Sequence, residues 1–251
     1  MNPSSVFSVR TKAQFEHAAL NILQLQAEKN PVYKQYLQQL RVDAKKVKAV
    51  SQIPFLPIEF FKTQEIITKS LNPKSQILNP KSEIFKSSGS AGSERSKHYV
   101  SDISLYEKSF RKGFEIFYGD VKQYVILALL PSYYENKNSS LLYMAMDLIK
   151  LSKNKHSAFY NAGDENIVPA IQNHLGNKQK VILFGVSFAL LDLVVDSFPL
   201  IKGGGADLAV VETGGMKGRK EEITREELHK TLCAKFGIKK IHSEYGMTEL
   251  L

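Results

Sequence analysis

A single cysteine, Cys233, stands in the 251-residue chain, which excludes an internal disulfide framework and fits a reducing compartment. No apolar stretch is long enough to cross a bilayer. The longest, Val181 to Leu191, is short and broken by Gly185 and Ser187. Met1 to Arg10 lacks the apolar core of a signal peptide. These absences predict a cytoplasmic protein with no membrane span. No block of five or six like charges occurs either. The net charge of +9 (34 basic against 25 acidic residues) is spread along the chain, so it reads as a solvated surface and nucleic acid is not an expected partner. A P-loop signature, a G-x-G-x-x-G fingerprint and any internal repeat are also missing. His98, His156, His174 and His229 show no metal-ligand spacing. What remains is ordinary for a soluble globular chain, 43% hydrophobic and 24% charged, long enough for one large domain or two small ones.

Periodicity predicts alternating helices and strands. Thr11, with Gln14 three residues on, is a capping-box start for a helix whose Phe15, Ala18, Ala19, Ile22 and Leu25 share a face. Asn30-Pro31 ends or interrupts it, and a second amphipathic piece runs from Val32 to about Leu40. Prolines 54 and 57 predict an irregular apolar segment over 53–62, and residues 68–83 read as a loop or subdomain join. A short strand at Ile84-Phe85 then enters a Ser/Gly loop. Asp102 caps a helix with Tyr106, Phe110, Phe114 and Phe117 on one face. The continuous apolar runs Tyr124–Leu130, Val181–Phe184 and Leu208–Val211 read as strands covered on both faces. Helices are expected over Leu141–Leu151 and Ala189–Val195. Another runs from the Thr224/Glu227 capping box to Gly237, and a last strand is expected at Ile241–Ser243. The pattern predicts an α/β fold, a mainly parallel sheet flanked by helices, with an N-terminal helical segment. Residues 1–82 would form that helical and irregular segment, and residues 83–251 an α/β nucleotide-binding core.

Three loops could carry chemistry, each expected at the carboxyl end of a strand, where such sheets bind ligands. In Lys86–Lys97, Gly89 and Gly92 let amides converge, Ser87, Ser88, Ser90 and Ser93 add hydroxyls, and Arg95 and Lys97 add charge. That composition suits a polyphosphate cradle or, equally, a flexible surface loop. In Glu212–Arg219, Gly214 and Gly215 could let a flat base lie on the backbone, with Lys217 and Arg219 near phosphate; a plain glycine turn reads the same way. In the last loop, Tyr245 could stack on a base, Thr248 donate to a phosphoryl oxygen and Glu249 hold Mg2+. His242, just before it, either shapes the site or is structural.

Together these segments resemble the adenylate-forming superfamily, with its Ser/Thr/Gly phosphate loop and later Tyr-Gly-x-Thr-Glu. They are most similar to its acyl-protein synthetase (LuxE-type) branch. That branch is suggested by Ile53-Pro-Phe-Leu-Pro57 with Phe60-Phe-Lys62, Lys86–Gly92, Phe184-Gly-Val-Ser187, Glu212–Gly218 and His242–Glu249. The fold implied is that superfamily's large N-terminal domain. The activity implied is ATP- and Mg2+-dependent activation of a fatty or other carboxylic acid to an acyl-adenylate, followed by acyl transfer to a cysteine of the protein, with an acyl-acceptor protein as a further expected partner. By the same resemblance Ser87, Ser88, Gly89, Ser90, Gly92 and Ser93, with Arg95 and Lys97, would hold the phosphates. Gly214 and Gly215 would line the adenine, with Tyr245 stacked on it. Thr248 would contact the α-phosphate and Glu249 would ligate Mg2+.

The chain departs from the pattern at Glu94-Arg95, where Pro-Lys is usual. The segments carrying the superfamily's ribose aspartate, its C-terminal lysine and the branch's acceptor cysteine have no counterpart, so the chain is expected to be a C-terminally truncated member. Cys233 matches none of these and is expected to be structural. A phenylacetate–coenzyme A ligase-like enzyme and an inactive nucleotide-binding module are the alternatives.

Overall fold

The computed structural model describes residues 3–68, 82–87, 95–130, 138–193, 207–216 and 220–250. Its chain divides into two compact units, one of residues Met1–Lys112 with Met247–Leu251, the other of Gly113–Gly246.

The first unit begins with two helices, α1 (Lys12–Lys29) and α2 (Pro31–Gln39), that share a capping residue. Thr11 and Gln14 form the expected capping box on α1. Asn30 then does two jobs: its N–H donates to the Gln26 carbonyl at 2.9 Å, closing α1, and its side chain accepts from the Tyr33 N–H at 3.1 Å, opening α2. Pro31 occupies the first helical position, where no donor is needed. Asn30-Pro31 therefore ends one helix and starts the next. Leu23, Tyr33, Leu37, Ala44 and Val47 form a small core, with Leu20 and Ala27 packed against it. That core takes the 20–23–27 side of α1, not the expected stripe through Phe15 and Ile22, both of which stay exposed. The proline-rich segment is irregular as predicted until one helical turn, α3 (Phe60–Thr63), forms beyond Pro57. The loop read over 68–83 lies largely outside the described residues.

The strand predicted at Ile84-Phe85 is β1 (Glu83–Lys86), but it belongs to no parallel sheet. It pairs antiparallel with β2 (Lys97–Val100), Lys86 opposite Lys97. The Ser/Gly loop thus joins the strands of a two-stranded hairpin, which corrects its expected place on the rim of the main sheet. Asp102 caps α4 (Ile103–Tyr118) by accepting from the Ser104 N–H at 3.0 Å. Phe117 was expected on the inner face of α4, yet it is 80% exposed. Ile103 and Phe110 are buried and Phe114 and Tyr118 partly so, the last three at four-residue steps, which turns position 117 outward.

In the second unit five strands are all parallel: β3 (Tyr124–Leu129), β4 (Ala158–Tyr160), β5 (Lys180–Val186), β6 (Leu208–Thr213) and β7 (His242–Glu244). Their spatial order is β4-β3-β5-β6-β7, a doubly wound 2-1-3-4-5 arrangement. Helices α5 (Ser140–Ser152), α6 (Ile167–Gly176), α7 (Ser187–Asp192) and α8 (Arg225–Phe236) flank it, as the α/β expectation required. β4 and α6 were not anticipated; β4 has three residues and carries no long apolar run. The helix expected from Ala189 starts at Ser187, directly off β5, and Val195 lies outside the described residues. α8 carries its predicted capping box and ends on Gly237 at φ 67°.

The core is made by the strand interiors, Leu127, Leu129, Val181, Leu183 and Val210 being fully buried. Close packing explains Gly185. A Cβ there would lie 2.8 Å from Leu190 Cδ2 and 3.3 Å from Leu129 Cβ, so α7 can fold back onto β5 only over a glycine. Gly185→Ala is expected to lower unfolding stability by about 1–3 kcal/mol, as overpacked cores do. Urea denaturation checks it, and Leu190→Ala should cost less in the Gly185→Ala background than in wild type, a coupling that a double-mutant cycle reads. A wild-type midpoint for Gly185→Ala would refute the account.

Candidate functional site

Strand ends on the second unit's rim carry its polar side chains. β5 runs straight into α7, so Ser187 sits at the junction, fully buried, and its hydroxyl donates to Glu212 Oε2 at 2.9 Å. The same hydroxyl lies 3.3 Å from the Thr213 carbonyl oxygen. Glu212 is itself buried near the end of β6, and its other carboxylate oxygen is 3.4 Å from His229 Nε2 on α8. Ser243 Oγ of β7 approaches that nitrogen too, at 3.2 Å. A relay triad needs the acid and the nucleophile on opposite ring nitrogens. Here both sit on Nε2, so this cluster is a clamp that ties β5, β6, β7 and α8 together, not a nucleophilic triad.

One residue further along, Thr213 Oγ1 donates to Glu244 Oε2 at 2.6 Å, across the Thr213–Glu244 register of β6 and β7. Burial pushes the Glu244 carboxyl above its ordinary range; the Thr213 hydrogen bond opposes this and nearby Glu212 adds to it. Gly214 and Gly215 follow at φ 75° and 61°, two successive left-handed residues. Met216, almost wholly buried, pins the far side of that turn. β7 continues into Tyr245, whose residue surface is 82% exposed. Gly214, Gly215 and Tyr245 therefore emerge from neighbouring strand ends. Lys217 and Arg219 lie outside the described residues.

At the start of β7, His242 Nδ1 is 2.7 Å from the Tyr118 hydroxyl and the two rings stack at 5.5 Å. Burial pushes Tyr118 up to about 12 and holds His242 below its ordinary value, with Lys240 acting in the same direction. Both groups are thereby favoured in their neutral forms, sharing one hydrogen bond, and His242 is an anchor between α4 and β7. Cys233 is partly buried on α8 against the core, a structural position as expected.

In the first unit, the neck of the β1–β2 hairpin is closed by Ser87. Its N–H donates to the Ser96 carbonyl and its hydroxyl accepts from the Ser96 N–H, both at 3.0 Å. Ser88, Gly89, Ser90, Gly92 and Ser93 lie outside the described residues. Arg95 and Lys97 are exposed at the neck, and Lys86 faces Lys97 in register. His98 follows, its Nδ1 2.6 Å from the Thr248 carbonyl oxygen. A carbonyl only accepts, so Nδ1 carries the proton. Burial lowers the His98 pKa, against the pull of the Thr248 carbonyl and Glu249, and favours the neutral ring. That bond brings Thr248 and Glu249 beside the cationic neck, 150 residues away in sequence. Among the described residues no group of three or more His, Cys, Asp or Glu side chains could hold a metal ion.

Glu244 sets a pH dependence. Its carboxyl pKa is raised on folding, so the folded state prefers the proton. Its contribution is full below about pH 4.5 and is lost as pH rises through the raised folded value. Glu244→Gln cannot ionise and keeps an oxygen for Thr213. Its stability relative to wild type should therefore climb as pH rises from about 4.5 toward neutrality. Urea midpoints across that range measure this, and parallel curves for the two proteins would contradict it.

No protein-family model, curated protein or solved structure matches this chain.

Proposed function

We propose that this protein activates a carboxylic acid with ATP, forming an acyl-adenylate for transfer to an acceptor protein, in the manner of the acyl-protein synthetases its motifs resemble. The observation that carries the reading is the His98–Thr248 hydrogen bond, which joins the cationic neck of the Ser/Gly loop to the Thr248–Glu249 turn within one unit. Lys86 and Lys97 stand directly opposite each other there, an arrangement that repels in a hairpin and is relieved by an anion between them. A second support lies in the other unit, where the left-handed Gly214–Gly215 turn and the exposed Tyr245 ring leave adjacent strand ends, as a flat base would need.

The chemistry asks for these groups. A substrate carboxylate oxygen forms a bond to the α-phosphorus of ATP as the bond to pyrophosphate breaks, and negative charge builds on the phosphoryl oxygens. Lys86, Arg95 and Lys97 neutralise it electrostatically, and Thr248 donates a hydrogen bond to the α-phosphate. Mg2+ commonly takes one or two carboxylates, several waters and substrate phosphates, so the single carboxylate of Glu249 is a fitting donor. When bound, that ion would lend charge stabilisation to the phosphates. A thiol sulfur on an acceptor would then form a bond to the acyl carbon as the acyl–phosphate bond breaks, releasing AMP and the thiol proton.

Exchange of labelled pyrophosphate into ATP, driven by a panel of fatty acids, tests the proposal. Glu249→Gln should lower the exchange rate by about 10²-fold, as loss of one electrostatic stabiliser does. Tyr245→Ala should raise KM for ATP about tenfold, in line with the loss of one base–aromatic stack. Calorimetric ATP binding with no exchange for any acid would sink the reading and leave a nucleotide-binding module.

A further inference from the structure

All strands of the second unit's sheet run the same way, so every segment that enters a strand lies at the sheet's amino end, opposite the rim of Gly214, Gly215 and Tyr245. These entering segments are rich in lysine. Lys122 precedes β3, Lys153 and Lys155 precede β4, and Lys178 precedes β5, whose first residue is Lys180. Lys239 and Lys240 precede β7. All seven are exposed, and among the described residues none of them is in an ion pair. The described acids at this end are Asp120, Asp207 and, on the last turn of α4, Glu115. Asp120 accepts from the Lys122 N–H at 3.0 Å, which commits it to a turn. Helix dipoles attract cations only near a helix C-terminus, and of the seven only Lys153 and Lys178 stand there, at the ends of α5 and α6. Positive charge that is spread along the sequence is therefore gathered by the fold onto one pole, roughly 20 Å across for five strands at their usual spacing.

The same end carries apolar surface. Ile116 and Phe117, on the last turn of α4, are 69% and 80% exposed. Tyr118 fixes that turn to the amino end. Its ring stacks on His242 at the start of β7, and its carbonyl oxygen accepts from the hydroxyl of Tyr124 at the start of β3, at 2.9 Å. Adjacent large apolar side chains left in water beside a field of cations match the surface of an anionic bilayer. Nucleic acid fits less well, since its interfaces favour the arginine fork and stacked rings. The entering segments hold no arginine, and Ile116 offers no ring to a base.

We propose that this pole docks on an anionic lipid surface, with Ile116 and Phe117 entering the headgroup boundary and the lysines of the four entering segments lying against the lipid headgroups. Docked in this way, the second unit keeps its opposite rim, with Gly214, Gly215 and Tyr245, turned to solution. Lipid binding of this kind needs neither nucleotide nor acid, so it stands or falls apart from the acyl-activating reading.

Co-sedimentation of the full chain with sucrose-loaded vesicles, without ATP, tests the docking, using phosphatidylcholine alone and phosphatidylcholine mixed with phosphatidylserine. Binding should require phosphatidylserine and weaken as salt rises. Lys239→Gln/Lys240→Gln should lower the partition coefficient about 25-fold, since each lysine near such a surface raises it roughly fivefold. Phe117→Ser should lower it about tenfold, through lost burial of one aromatic ring. Lys45→Gln/Lys46→Gln, the same change of charge on exposed lysines of the first unit, should bind as wild type. The chain has no tryptophan, so Phe117→Trp supplies a single reporter whose emission should shift to the blue on anionic vesicles. Every substituted position is exposed, and circular dichroism confirms folding of each variant. No binding to the phosphatidylserine vesicles, an unshifted Phe117→Trp emission, or equal losses from the two lysine pairs overturns the proposal. Binding to a single-stranded oligonucleotide that Lys239→Gln/Lys240→Gln abolishes, with no binding to lipid, also overturns it and gives the pole to nucleic acid.

Discussion

Parallel strands paired β3 to β5 to β6 leave no face of the second unit's sheet for water, because the connecting helices must lie across it. That pairing is what the rest of the unit depends on. The interior positions of these strands are apolar from Val125 to Leu129 and from Val181 to Phe184, and they are buried nearly without remainder. Within the sheet, polar side chains then stand where strands end. Ser187, Glu212, Thr213 and Glu244 all do, on three successive strands.

Burying carboxylates at those ends is costly unless each oxygen finds a partner. Glu212 is satisfied by the Ser187 hydroxyl on one side and approached by His229 on the other, and Glu244 by Thr213. Among the described residues no buried side-chain polar atom is left without a partner. The clamp has a geometric consequence. With the ends of β5, β6 and β7 tied together, the two left-handed glycines after Thr213 and the ring of Tyr245 leave from a fixed base. Order at the rim thus comes from side-chain hydrogen bonds more than from ladder pairing, since β7 is only three residues long.

Whether a feature was legible in the sequence depended on how local its cause was. Helix starts at Thr11 and Thr224 were readable because a capping box needs only four residues, and the three long strands because burial on both faces leaves an unbroken apolar run. β4 was not, since three half-buried residues carry no period. The Ser/Gly loop was recognised by composition, but its place was misjudged: whether β1 adds to a parallel sheet or folds back on β2 is decided by pairing, which four residues do not encode. The Glu212–His229 and His98–Thr248 contacts were invisible for the same reason. Each joins residues whose separation in sequence is set by the whole fold, and the spacing of a histidine to other metal ligands says nothing of such contacts.

The two apolar stripes that sequence periodicity placed wrongly make the sharper lesson. On α4 the error at Phe117 is one of phase: Phe110, Phe114 and Tyr118 turn inward at four-residue steps, and position 117 falls three after Phe114. On α1 the stripe is real, and it is not core. Leu20, Leu23 and Ala27 seat the helix on α2 and the 44–56 segment, leaving Phe15, Ala19 and Ile22 to line a half-open concavity. A helix with enough apolar surface for two faces can fold on one and leave the other partly in water. Periodicity reports that a face is apolar, and only packing shows whether protein or something else is to cover it.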